Sequence, residues 1–120
     1  MMLAANILVG IVAALHVYFL VLEMFLWTRP LGLKTFRQTQ QKADDSAILA
    51  ANQGLYNGFL AAGLIWGLVH PDAGIGFQIK VFFLLCVIVA GLYGGYSVSV
   101  RIILIQAVPA ALALALLWLG

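Results

Sequence analysis

Four apolar stretches, each long enough to cross a lipid bilayer, fill nearly the whole of this 120-residue chain. They cover residues 3–27, 48–69, 77–96 and 100–119, with one sizeable polar connection at 28–47. A helix rises about 1.5 Å per residue and so needs roughly 20 apolar residues to span the hydrocarbon core. The expected fold is therefore all-α: a polytopic membrane protein with four transmembrane helices in an antiparallel bundle, forming a single transmembrane domain over 1–120. Composition agrees. The chain is 65% hydrophobic and 8% charged, with a mean hydropathy of +1.12, whereas a soluble domain carries about a quarter charged residues.

Charge and cysteine content narrow the function classes. A net charge of +2, gathered mostly in one loop, does not suit nucleic-acid binding. The single cysteine, Cys86, lies within the third apolar stretch and has no internal partner for a disulfide or a redox relay. The first stretch has no Lys or Arg ahead of it, and it ends in Phe25-Leu26-Trp27 rather than at a small-residue cleavage site. It reads as a retained helix rather than a signal peptide. Arg29, Lys34, Arg37 and Lys42 lie in the first connection and Arg101 at the start of the fourth helix, while Lys80 alone lies near the opposite side. That bias puts the first connection in the cytoplasm and both termini outside. Four short-looped helices also enclose little volume, which favours association into a homo-oligomer.

Punctuation marks the helix boundaries. Pro30 and Gly32 stop the first helix, and His70-Pro71-Asp72 with Gly74 and Gly76 terminate the second. Asp44, Asp45 and Ser46 precede the second helix, where acidic and hydroxyl side chains satisfy free amides. Between 31 and 41, Leu33 and Phe36 alternate with basic and polar residues, as in a short interfacial helix. Pro109 removes a backbone hydrogen bond in mid-helix, so a kink is expected there.

The polar residues within the apolar stretches carry whatever chemistry there is. Counting along the helix rise puts His16 near the bilayer centre and Glu23 about 10 Å closer to the cytoplasm, on the same face. Asn52, Gln53, Tyr56 and Asn57 fall in the cytoplasmic half of the second helix, with Gln53 and Asn57 four apart. Tyr93 and Gln106 reach similar depth on the third and fourth helices. The expectation is one cytoplasm-side polar layer shared by all four helices, with Trp27 capping its edge. A carboxylate in hydrocarbon is costly unless it faces the interior and finds donors, which makes Glu23 a candidate proton carrier. The same groups would also serve as interhelical glue. Glycine pairs Gly54/Gly58, Gly63/Gly67 and Gly91/Gly95, and the series Ala107, Ala111, Ala115, recur at four-residue spacing and allow close helix approach. Trp66 and Trp118 suit interfacial anchors.

Familiar enzyme signatures are missing. There is no phosphate-binding glycine loop, no paired-cysteine zinc site and no His-Glu-x-x-His run, so no metal or cofactor is expected.

The segment Leu22-Glu23-Met24-Phe25-Leu26-Trp27-Thr28 with Gly32 and Phe36, followed by the run from Leu49-Ala50-Ala51-Asn52-Gln53-Gly54 through Leu55-Tyr56-Asn57-Gly58-Phe59 to Gly63, resembles the DUF1304 family of small bacterial membrane proteins. The resemblance covers essentially the whole chain and implies a four-helix inner-membrane protein, with no activity attached.

Two classes of function fit these residues. In the preferred one, the protein is a small binding or transport module whose cytoplasm-side pocket takes a hydrophobic or cationic small molecule, with Glu23 exchanging a proton for it. Small multidrug-resistance exporters share the architecture but not the motifs. In the other, it is an intramembrane enzyme, isomerase-like, with Glu23 and His16 transferring protons on a lipid-like substrate polarised by Asn57 or Gln53. A structural subunit of a membrane complex is a third reading.

Overall fold

The computed structural model describes residues 1–120 and is all-helical, with no strand. Its helices are α1 (Met2–Met24), α2 (Pro30–Phe36), α3 (Gln40–Val69), α4 (Ala73–Ser97) and α5 (Val108–Leu119), with a π-helical segment, Ile103–Ala107, running into α5. By length and composition, α1 and α4 are apolar enough to cross a membrane, and Ile103–Leu119 is a shorter apolar helix. At 30 residues α3 has the length. Its mid-helix amides Asn52, Gln53 and Asn57 dilute its apolar character.

Local chemistry accounts for the boundaries, several of which differ from the sequence expectation. Helix α1 ends at Met24 rather than at 27, because the N–H groups of both Phe25 and Leu26 turn back onto the Val21 carbonyl. Trp27 therefore sits in a turn. The connection at 28–47 is not open loop: α2 begins with Pro30 in its first turn, where a missing N–H costs nothing. It ends at Arg37, whose left-handed backbone (φ 52°) is unusual for a residue other than glycine. Helix α3 starts at Gln40 instead of 48, since Thr39 Oγ1 accepts from the Lys42 N–H at 3.2 Å and caps it. Asp44, Asp45 and Ser46 thus lie inside the helix, and the two aspartates accept from Gln40 and Gln41 one turn earlier. Helix α4 starts at Ala73, four residues before 77, because the Asp72 carboxylate accepts from the Ile75 N–H at 2.9 Å. In the last helix, the Val108 N–H reaches back five residues to Ile103 O. This π-turn adjusts the hydrogen-bond ladder just before Pro109, where an ordinary helix would lose a bond.

The chain divides into two compact units, residues 15–59 and residues 1–14 with 60–120. In the larger unit the core is made of small and medium side chains, among them Ala5, Val9, Ala110 and Ala113, with Leu64, Leu84 and Leu117. Glycine sets the close approaches. A Cβ at Gly91 would fall within 2.7 Å of the Ala107 backbone nitrogen, so α4 and the π-segment touch through their main chains. The buried face of α5 runs through Ala110, Ala113 and Leu117, while Ala111 and Ala115 are exposed. Large apolar side chains lie outside: Leu3 is 74% exposed, Val89 65% and Tyr96 88%. The smaller unit comprises the end of α1 from Leu15, all of α2 and the first two thirds of α3, to Phe59.

Candidate functional site

Within the smaller unit, α1 and α3 are brought together by glycine. A Cβ at Gly54 would meet Met24 Cγ at 2.7 Å, Glu23 Cβ at 3.1 Å and Leu20 O at 3.2 Å. One turn on, Gly58 faces the tip of Leu20. Gly54, Asn57 and Gly58 share one face of α3 by their three- and four-residue spacing, so the same contact that lets the backbones close delivers the Asn57 amide to α1. Its Nδ2 donates to Glu23 Oε1 at 2.5 Å. Asn57 is 9% exposed and Glu23 is half-buried.

The turn after α1 is fastened to α3 by two further bonds. Trp27 Nε1 donates to Ser46 Oγ at 3.1 Å, and Gln40 Nε2 donates to the Thr28 carbonyl at 3.1 Å. Ser46 in turn donates to the Lys42 carbonyl at 2.7 Å, which fixes its hydroxyl to receive the indole. The Trp27 ring packs on Phe36 with centroids 4.7 Å apart. Gly32 completes the fit: its Cα lies so close to the carbonyls of Leu26 and Trp27 that no side chain fits there. The result is a three-way junction of α1, α2 and α3, with Glu23 in the last turn of α1, four residues before Trp27.

The other residues singled out from sequence are distributed as follows. His16 is fully buried, two turns along α1 from Glu23, and meets the Phe19 ring edge-on at 5.4 Å. Asn52, Gln53 and Tyr56 are exposed, and the Tyr56 ring lies beside Phe59. Gln53 is four residues from Asn57, yet the buried face of α3 is centred on Gly54 and Asn57, which leaves Gln53 on its flank. Tyr93, exposed, and Gln106, half-buried in the π-segment, belong to the larger unit. Glu23 and Asn57 are hydrogen-bonded to each other. No three His, Cys, Asp or Glu side chains gather to form a metal site.

A family of proteins of unknown function, DUF1304, matches residues 10–118, which takes in Glu23, Asn57 and the whole junction. The chain belongs to the DUF1304 family. An uncharacterised protein of Lactococcus lactis subsp. lactis (strain IL1403), YpaA, is 30% identical over 112 residues, covering 91% of this chain and 92% of its own. No solved structure matches the chain.

This DUF1304 chain holds a second buried polar contact that sequence reasoning missed. Lys80, read from sequence as a mark of the outer side, is 7% exposed, and its Nζ donates to Asn6 Oδ1 at 2.8 Å. Its stem lies over Gly67, where a Cβ would come within 2.6 Å of Lys80 Cγ. The sequence offers only a lone asparagine early in α1 and a lone lysine in α4. Neither specifies its partner.

Chemically, the Glu23–Asn57 pair offers more acceptors than donors. One carboxyl oxygen takes the amide N–H, and neither Glu23 Oε2 nor Asn57 Oδ1 is sealed in the interior without a partner, so both stay open to an incoming donor. Two oxygens on facing helices can accept from a proton-bearing or cationic group.

Proposed function

We propose that this DUF1304 protein is embedded in the cytoplasmic membrane as a multi-pass protein and acts as a small binding or transport module, with the Glu23 carboxyl exchanging its proton for a hydrophobic cation. Membrane embedding is supported by inside-out packing. Alanine, glycine and valine fill much of the core of the larger unit while leucine, phenylalanine and tyrosine cover its surface. In water this arrangement would expose far more contiguous apolar area than a monomer tolerates; in lipid it costs nothing, and small residues are what let helices close.

The observation that carries the binding site is the hydrogen bond from Asn57 to Glu23. Glu23 is half-buried and spends one oxygen on a protein donor, which leaves the other open to an incoming group. The free oxygen and the Asn57 carbonyl supply the acceptors that an entering cation, or the proton it replaces, requires.

The test uses purified protein in liposomes loaded with a pH-sensitive dye, challenged with tetraphenylphosphonium. Wild-type protein should move protons when the cation is added on one side. Glu23→Gln retains a carbonyl oxygen to accept from Asn57, so it should fold normally and move none. Proton movement undiminished in Glu23→Gln, or absent from folded wild-type protein, would refute the proposal.

A further inference from the structure

The junction of α1, α2 and α3 presents four exposed cations, Arg29, Lys34, Arg37 and Lys42, within a segment of fourteen residues, and none of them forms an ion pair. The two nearby carboxylates, Asp44 and Asp45, accept from the amides of Gln40 and Gln41 rather than from these cations, and two acids against four bases leave residues 29–45 with a net positive charge. Interspersed with the cations are exposed apolar side chains: Phe25 in the turn, Leu31 on α2 and Phe36 at its end. Exposed cations beside exposed aromatic and aliphatic groups match a surface that is anionic on its outside and apolar just beneath. The surface is also held in shape, by Gly32 packed on the Leu26 and Trp27 carbonyls and by the Trp27–Ser46 bond.

Arg37 gives a separate indication. It terminates α2 in the left-handed conformation, where glycine would be the unstrained choice. A cation at this helix end gains a small favourable interaction with the helix dipole, but at the conformational cost that glycine would avoid. It also places a guanidinium, which binds phosphate in a forked geometry, at the rim of this surface.

We propose that α2 and its flanks dock on the anionic phospholipid headgroups of the leaflet on their own side of the membrane, with Arg37 and Lys34 contacting phosphate and Leu31 and Phe36 entering the layer below. The proposal rests on the membrane reading above but not on proton exchange at Glu23. Each basic residue held near such a surface is worth roughly a fivefold gain in binding, so four together discriminate strongly between charged and neutral headgroups.

The experiment titrates the purified, delipidated chain with phosphatidylglycerol or phosphatidylcholine of matched acyl chains and counts retained lipids by native mass spectrometry. Wild-type protein should retain phosphatidylglycerol at least about tenfold better, a preference that falls as salt is raised. Replacing Arg29, Lys34, Arg37 and Lys42 together by glutamine should abolish it. Arg37→Gly should lower the preference severalfold while holding or raising the melting temperature, an outcome that a merely structural role for Arg37 does not give and that remains readable if the fourfold variant misfolds. Glu23→Gln should keep the preference. Equal retention of the two lipids by wild-type protein, or a preference undiminished in the variants, would overturn the proposal; retention of neither lipid would overturn it together with the membrane reading.

Discussion

Asn57 of α3 donates its side-chain amide to the carboxyl of Glu23 on α1, across 34 positions of sequence, at the level where Gly54 and Gly58 let the two helices close. The contact joins a packing feature to a chemical one. The glycines set how closely the two helices approach, and the amide is the donor that meets the carboxyl there.

The energetic weight of this bond should be modest. Interhelical hydrogen bonds in membranes are worth about 0.6 kcal/mol on average and up to about 1.7, so a double-mutant cycle between Glu23→Ala and Asn57→Ala should give a coupling of about 1 kcal/mol. Reversible unfolding in mixed micelles measures it. A coupling of zero would mean that the two groups do not meet.

The two glycines should not be equivalent. A methyl group at Gly54 runs into Glu23 Cβ and the Leu20 carbonyl, which are fixed to the helix, whereas one at Gly58 meets only the flexible end of Leu20. Gly54→Ala should cost about 1–3 kcal/mol, as overpacking does, and Gly58→Ala distinctly less. The order, read from the same unfolding assay, is the prediction.

Trp27→Phe keeps an aromatic ring against Phe36 but removes the N–H that reaches Ser46. Both Trp27→Phe and Ser46→Ala should cost about 1 kcal/mol, the usual net value of one hydrogen bond. Combined, they should cost clearly less than the sum. Strict additivity would show that the indole and the hydroxyl act independently.

Removing Asn6 should harm more than removing Lys80. Asn6→Ala leaves a buried ammonium without its described acceptor, a penalty of roughly 1–3 kcal/mol or more for a charged group. Lys80→Met keeps the stem over Gly67 and withdraws the charge altogether. Thermal unfolding of Asn6→Ala, Lys80→Met and the double variant should rank Asn6→Ala lowest.

Much of the helical plan was legible because it depends on local signals. The apolar runs located α1 and α4 to within a few residues, and the His70-Pro71-Asp72 break contained the cap that starts α4. Where a boundary depends on a competing local bond, the reading slipped: Thr39 caps α3 five residues before Asp44-Asp45-Ser46, the run that looked like its start, so the helix begins at Gln40 rather than 48. Depth along a helix can be counted from sequence, but azimuth is decided by packing. Asn52, Gln53, Tyr56 and Asn57 lie at neighbouring depths, yet Gly54 turns only Asn57 inward toward α1. Lys80 and Asn6 are 74 positions apart. Their pairing follows from the way the larger unit packs, which no local pattern records.

The most direct measurement is chemical labelling of Glu23 in native membranes with dicyclohexylcarbodiimide, an apolar reagent that reaches carboxyl groups from the hydrocarbon side. Peptide mapping should find the label on Glu23 and not on Asp44, Asp45 or Asp72, and saturating tetraphenylphosphonium should protect against it. A Glu23 that stays unlabelled, or that labels equally with and without the cation, would contradict a membrane-embedded carboxyl that binds cations with Asn57.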